Sequence, residues 1–167
     1  MKKIAIVVLV LAFTLSCNNI QKSTIKRVGE PDIVGVESDD ADMNKAIANA
    51  VLNSSIFDLA LKNNSSKCEN FSIKKPYKTD SGTEHIWISN VVLKKDKYQG
   101  IIANTPEYIN EIKLGDTVLV AKNEISDWMF LENNILKGGY TIRVIRDKMS
   151  QVEKKQFDNE NGFIIKD

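Results

Sequence analysis

The spacing of apolar residues changes from helical to alternating at Phe71, and that change decides the class of fold open to this chain. Met43, Ile47, Ala50 and Val51 recur at intervals that line one face of a helix. The acidic residues between Asp39 and Asp42 just before them suit the positive end of a helix dipole. Asn53-Ser54-Ser55 interrupts that helix, and Ile56, Phe57, Ala60 and Leu61 extend it as a second short stretch before the polar run from Lys62 to Asn70. From Phe71 the period becomes two, the mark of half-buried strands. Phe71, Ile73, Lys75 and Tyr77 alternate with polar residues until Pro76 and the loop Thr79-Asp80-Ser81-Gly82.

Further strands follow by the same rule. Glu84 to Leu93 sets His85, Trp87, Ser89 and Val91 on one face and Ile86, Ile88, Asn90 and Val92 on the other, so both faces are expected to be partly covered. A polar turn at Lys94-Lys95-Asp96-Lys97 leads to Tyr98–Ala103 as the antiparallel partner, in which Gly100 allows a bulge or close packing. Asn104-Thr105-Pro106-Glu107 opens a loop or short helical turn through Ile109. Leu114-Gly115-Asp116 turns the chain into a strand over Thr117–Ala121, and Lys122 to Ser126 forms another short turn. Trp128–Leu131 and Tyr140–Ile145 read as two more strands, linked through Asn133-Asn134 and Gly138-Gly139, residues that tolerate positive φ. Ser150-Gln151-Val152-Glu153 is a capping box that opens a last short helix reaching Phe157. Helix, antiparallel strands, then helix make residues 39–167 a single α+β domain. Its sheet is expected to be a curved antiparallel sheet or partly open barrel of five to six strands, with an N-terminal helix and a short C-terminal helix.

The N-terminus has a different character. Met1-Lys2-Lys3 is a positive start, Ile4 to Leu15 an apolar run of twelve residues, and Ser16-Cys17 a cleavage point followed by a thiol. The run falls short of the roughly 18 residues that a spanning helix needs, so residues 1–16 read as a signal peptide. Thr14-Leu15-Ser16-Cys17 resembles the lipobox of bacterial lipoproteins, which implies that Cys17 carries lipid and holds the chain on a membrane of the cell envelope. The alternative is a secreted, unlipidated chain that also begins at Cys17. Residues 17–38, rich in Lys, Ser and Asn and broken by Gly29-Glu30-Pro31, form a flexible lipid-anchored tether. Asn18 rather than Asp after Cys17 favours the outer membrane, facing the periplasm, in a Gram-negative host.

Charge then excludes one class of partner. With Lys2 and Lys3 removed, 21 Lys and Arg face 22 Asp and Glu, and Lys74-Lys75, Lys94-Lys95 and Lys154-Lys155 read as solvated faces and turns. A nucleic-acid ligand would call for a basic stripe that this chain lacks. An acylated Cys17 leaves Cys68 without a disulfide partner, as a small buried hydrophobe or a free thiol.

Two groups of residues are candidates for chemistry. The first is Glu84-His85 with Trp87, although Glu84 and His85 point to opposite faces of a strand. The second is Asp127-Trp128, with Arg143 as a charge partner for Asp127. A His oriented by a carboxylate is the base half of many hydrolytic sites, so His85 with Asp127 or Glu84, and Ser89, Ser126 or Thr141 as nucleophile, describes a small hydrolase. The competing account makes His85 a hydrogen-bonded core or rim residue and Asp127 the cap of a turn. Trp87 and Trp128, with Tyr98, Tyr140 and Phe130, either line a groove for a peptide or glycan or belong to the core. One His and no thiol cluster give no metal site, and no cofactor is implied.

Several segments together resemble a known family: Asp42-Met43-Asn44-Lys45-Ala46-Ile47, Phe71-Ser72-Ile73-Lys74, Glu84-His85-Ile86-Trp87, Gly100-Ile101-Ile102-Ala103-Asn104, Lys113-Leu114-Gly115-Asp116, Ile125-Ser126-Asp127-Trp128-Met129 and Gly138-Gly139-Tyr140-Thr141-Ile142-Arg143. Their order and spacing over about residues 40 to 160 are similar to those of the bacterial domain of unknown function 2314, the YegJ-like proteins. The resemblance implies a single compact domain, often exported, and brings no activity with it. Two functions from different classes stand at this point: a non-catalytic envelope module that binds a protein or small ligand, and a small envelope hydrolase. The lipid anchor has its own check. Cys17→Ser is expected to abolish metabolic palmitate labelling and to move the chain out of the membrane fraction.

Overall fold

The structure, a computed structural model, describes residues 40–80 and 82–166, together with the antiparallel pairing of two short strands, β1 (Thr24–Ile25) and β2 (Ile33–Val34). The expected signal peptide and Cys17 lie outside the described residues, as does most of the expected tether. Among the described residues, no helix is long and apolar enough to cross a membrane.

Helix α1 (Ala41–Leu52) starts where Asp40 Oδ1 accepts the Met43 N–H at 3.0 Å. A single residue, Asn53, separates it from α2 (Ser54–Asn63), which stops at Asn64 in the left-handed region, φ 43°. The interruption expected at Asn53-Ser54-Ser55 is therefore a helix-to-helix joint. Met43, Ala46 and Ala50 of α1 and Phe57 of α2 point inward.

Six strands follow: β3 (Cys68–Thr79), β4 (Gly82–Lys94), β5 (Lys97–Ile102), β6 (Thr117–Ala121), β7 (Asp127–Glu132) and β8 (Ile135–Gly138). They form one antiparallel sheet in the order β6-β5-β4-β3-β7-β8. The sheet is open, and with its helices it is the α+β arrangement expected. β3 continues through Pro76 because the Lys74 carbonyl takes the Ser126 N–H at 2.8 Å, so alternation directs residue 76 to the same side, beyond the start of β7. Proline there removes no ladder donor.

Two expectations from the sequence need correction. Tyr140–Ile145 is not a strand: it lies in helix α3 (Tyr140–Asp147), and the strand that returns from β7 is β8. Asn133 and Asn134, at φ 50° and 63°, make that return in two residues, so β8 ends at Gly138 before Tyr140 is reached. Thr141, Ile142, Val144 and Ile145 have strand propensity, but the buried Asp127 carboxylate receives the first amides of α3 and overrides it. The second correction concerns β4. Its register shifts between Ser89 and Val92, with Asn90 at φ 52°, so Val91 is buried and Val92 is 53% exposed, the reverse of simple alternation. The capping box at Ser150 and Glu153 is present, and the helix it opens, α4 (Gln151–Asn161), runs beyond Phe157 to a left-handed Gly162.

The core lies between the sheet and the α1–α2 pair. Ile73, Ile86, Ile88, Tyr98, Val120, Trp128 and Phe130 supply the sheet side. Phe57 sits in the middle, with ring centroids at 5.6 to 5.7 Å from Tyr98, Phe71 and Trp128 and 6.4 Å from Phe130. The polar tips of two rings find partners in the helices: Trp128 Nε1 donates to the Ala50 carbonyl at 2.7 Å, and the Tyr98 hydroxyl to Asp58 at 2.7 Å. Gly100 serves close packing, since a Cβ there would stand 2.6 Å from Ile88 Cγ2 and 2.7 Å from the Ser89 carbonyl oxygen. Phe57→Ala, which would empty the space between four rings, is expected to cost about 3–5 kcal/mol in urea unfolding with an unchanged m-value.

Candidate functional site

Strand register assembles the candidate site. Lys74 of β3 stands directly opposite Trp87 of β4 on one side and Asp127 of β7 on the other, so all three side chains share one face of the sheet. The neighbouring rung, Ile73 with Ile88 and Trp128, faces the core instead.

Asp127 is fully buried and its two oxygens take four hydrogen bonds. Oδ1 accepts from the Trp128 N–H at 2.8 Å and the Tyr140 N–H at 3.2 Å, and Oδ2 accepts from the Thr141 N–H at 2.8 Å and the Thr141 hydroxyl at 2.6 Å. The carboxylate thus occupies the positive end of α3, whose first amides have no partner within the helix. Burial pushes the Asp127 pKa up, against the pull of the Thr141 bonds and of Lys74. Lys74 Nζ donates to Thr141 Oγ1 at 2.9 Å and lies 4.9 Å from the centre of the Trp87 ring. Its own pKa is lowered by burial, with Asp127 opposing. Lys74, Thr141 and Asp127 therefore form one hydrogen-bonded chain.

His85 lies beside this chain. Its Nδ1 is 2.9 Å from Ser126 Oγ, and both the Ser126 N–H and its hydroxyl reach the Lys74 carbonyl, at 2.8 and 3.3 Å. Burial, reinforced by the charge of Lys74, lowers the His85 pKa to about 4, so the ring is neutral at neutral pH. Ser126 is only 2% exposed. Glu84 is occupied elsewhere: its two oxygens accept the Glu107 and Tyr108 amides at 2.8 and 3.0 Å and fasten the loop between β5 and β6.

Arg143 does not pair with Asp127, which corrects the expected ion pair. Its guanidinium donates to the carbonyls of Leu136, Gly138 and Lys166 at 3.1, 3.1 and 2.7 Å. Helix α3 turns that side chain toward β8, and the cation beside Asp127 is Lys74. Trp128 is a core residue, whereas Trp87 is half-buried, with its backbone N–H donating to Asn104 Oδ1 at 2.8 Å. Ser89 Oγ makes only a long contact of 3.5 Å to the Ile101 carbonyl. Cys68 is a half-buried free thiol whose pKa burial raises. Among the described residues, no group of three His, Cys, Asp or Glu side chains is placed to hold a metal ion.

Sequence reasoning missed Lys74, which it assigned with Lys75 to a solvated face. Lys75 does pair with Glu124 at 3.0 Å near the surface, but Lys74 points the opposite way. Alternation with the buried Ile73 was the available signal. What waits on that opposite face became visible only with the register of β7.

Fold and site together define a small α+β domain with an open antiparallel sheet and a charged, hydrogen-bonded cluster on the face turned away from its aromatic core. The chain belongs to the family of uncharacterized proteins conserved in bacteria, DUF2314, which matches residues 40–164. It is 32% identical over 79 residues to the uncharacterized protein YegJ of Escherichia coli strain K12, a match covering 47% of this chain and 52% of that protein. It is also 34% identical over 80 residues to a putative ankyrin repeat protein of Neisseria meningitidis serogroup B, covering 48% of this chain and 32% of that one. The matches thus span about half of the first relative and a third of the second. No solved structure matches.

The depressed pKa of His85 predicts a pH dependence. Between pH 6.5 and about 4 the unfolded chain takes up a proton at this residue that the folded chain refuses, so its contribution to stability is present above 6.5 and lost as pH falls through that window. Asp127, with its pKa raised, acts with the opposite sign. In His85→Asn the fall in urea-unfolding free energy across the window is expected to be shallower than in the unmodified chain.

Proposed function

We propose that this chain is a lipid-anchored, non-catalytic binding module of the bacterial cell envelope that engages a protein partner. The observation that carries this reading is the use to which the candidate catalytic groups are put. Asp127 caps α3, Glu84 holds a loop by two backbone amides, and Arg143 ties three carbonyls together. Each charge serves the domain's own backbone. The signal-like segment Met1–Ser16 and Cys17 support the envelope location.

A contact surface is available on the helices. Leu52, Ile56 and Leu59 follow one another at intervals of four and three residues across the Asn53 joint, and all are exposed, Leu52 to 79%. With Val51 they are the exposed large apolar side chains of α1 and α2, and exposed apolar surface of this kind marks interaction sites.

The hydrolase reading has one observation in its favour, the 2.9 Å approach of His85 Nδ1 to Ser126 Oγ. Against it, the serine is buried and Asp127 and Glu84 both hold backbone amides. Crosslinking in living cells, followed by pull-down of the tagged full-length chain and mass spectrometry, tests the binding reading. One envelope protein in near-stoichiometric yield is expected, and Leu52→Glu with Ile56→Glu should remove it without changing the melting temperature. Failure to recover such a protein, or recovery untouched by the double substitution, counts against the assignment.

A further inference from the structure

The two edges of the sheet are finished in different ways. Along β8 the chain's own C-terminal segment covers the edge: the Leu136 N–H donates to the Ile164 carbonyl and the Ile164 N–H to the Asn134 carbonyl, each at 2.9 Å. Ile135 and Ile164 form a parallel bridge, and Arg143 takes the Leu136 and Gly138 carbonyls. Along β6 nothing comparable occurs among the described residues. The Ile102 N–H donates to the Asp116 carbonyl at 2.9 Å, so by alternation the pairs bonded to β5 are Gly100 with Val118 and Tyr98 with Val120. Thr117 and Leu119 therefore turn their N–H and C=O groups outward. At Ala121 the outward N–H is taken by Glu124 Oε2 at 2.8 Å.

Among the described residues, Glu124 protects this edge at Ala121 alone, and the stretch from Thr117 to Val120 lacks the devices that usually do so. Thr117-Val118-Leu119-Val120-Ala121 carries no charge, proline or glycine. Leu119 is 54% exposed and shares a face with the exposed Val92, with Gln99 of β5 between them.

We propose that β6 is the contact through which two copies of this chain associate, joining their sheets edge to edge. The charges that flank the strand single out a second copy as the occupant. When β6 pairs antiparallel with itself about Leu119, the Thr117 N–H meets the Ala121 carbonyl of the second copy, whose own N–H stays on Glu124, and Asp116 at one end of the strand lies toward Lys122 in the turn that follows its other end. The two-fold axis makes each of these contacts twice. Lys122 keeps its own pairing with Asp58, so the incoming carboxylate shares a cation already in place. On the exposed face the two Leu119 side chains meet at the axis.

Cysteine crosslinking of the full-length chain in bacterial membranes provides the test, in a Cys68→Ser background. Directly opposed, hydrogen-bonded residues of an antiparallel pair have Cα atoms about 5.5 Å apart, within disulfide range. Leu119→Cys under mild oxidation is expected to yield a disulfide-linked dimer on non-reducing gels. The Cys68→Ser parent and a Val152→Cys chain, exposed on α4, should not. Adding Thr117→Pro removes an outward N–H and leaves the β5 ladder intact, and should cut the dimer band roughly tenfold, the worth of the two symmetry-related hydrogen bonds lost. Thr117→Lys is the substitute if the proline variant melts lower. The proposal is overturned if no dimer forms, if Val152→Cys crosslinks as well, or if Leu119→Cys is captured by a different protein.

Discussion

A buried carboxylate must be given donors, and the four that Asp127 receives organise the half of the molecule that follows it. Two come from the first amides of α3, so the helix begins where the carboxylate is. The chain has to reach that point directly from β8, which Gly138 and Gly139 permit with φ of 69° and 63°. A Cβ at Gly138 would stand 2.2 Å from the Trp128 carbonyl oxygen, so no other residue fits so close to β7. Once α3 is placed, Arg143 lies over β8 and Thr141 lies between Asp127 and Lys74. The charge of Lys74 in turn helps to keep His85 neutral. Cap and cation gather round one desolvated group, while the histidine is neutral chiefly through its own burial.

The opposite face of the sheet is governed by burial of aromatic surface. Phe57 touches rings from β3, β5 and β7, which ties α2 to three strands at once. Hydrogen bonds from Trp128 and Tyr98 to α1 and α2 satisfy the polar atoms that this packing would otherwise strand. Because these contacts hold the inner sides of both helices, their outer side, with Leu52 and Ile56, remains apolar and free of the core.

Particular residues show where sequence reading succeeded and where it stopped. Alternation marked β4 and β5 because they bury side chains two residues apart, as Ile86 and Ile88 or Tyr98 and Gly100 do. Alternation failed after Asn90, where one bulge residue with positive φ exchanged the faces of Val91 and Val92. It failed again at Tyr140, since β-branched residues report a preference for extended backbone and carry no record of a carboxylate thirteen residues earlier. Of the candidate site residues, Glu84 and His85 do point to opposite faces as the period requires, with Glu84 on the loop and His85 on Ser126. Lys74 escaped notice because its neighbours, Trp87 and Asp127, belong to other strands.

By itself the sequence determined the α+β class, the helix joint at Asn53 and the capping box at Ser150. Each follows from interactions between residues a few positions apart, or from the one-dimensional period of burial. Strand order, the choice of α3 over a strand, the true partner of Asp127 and the unequal treatment of the two sheet edges were decided by tertiary structure alone. These depend on contacts between residues far apart in the chain, where desolvation of one group is relieved by donors that no local pattern announces.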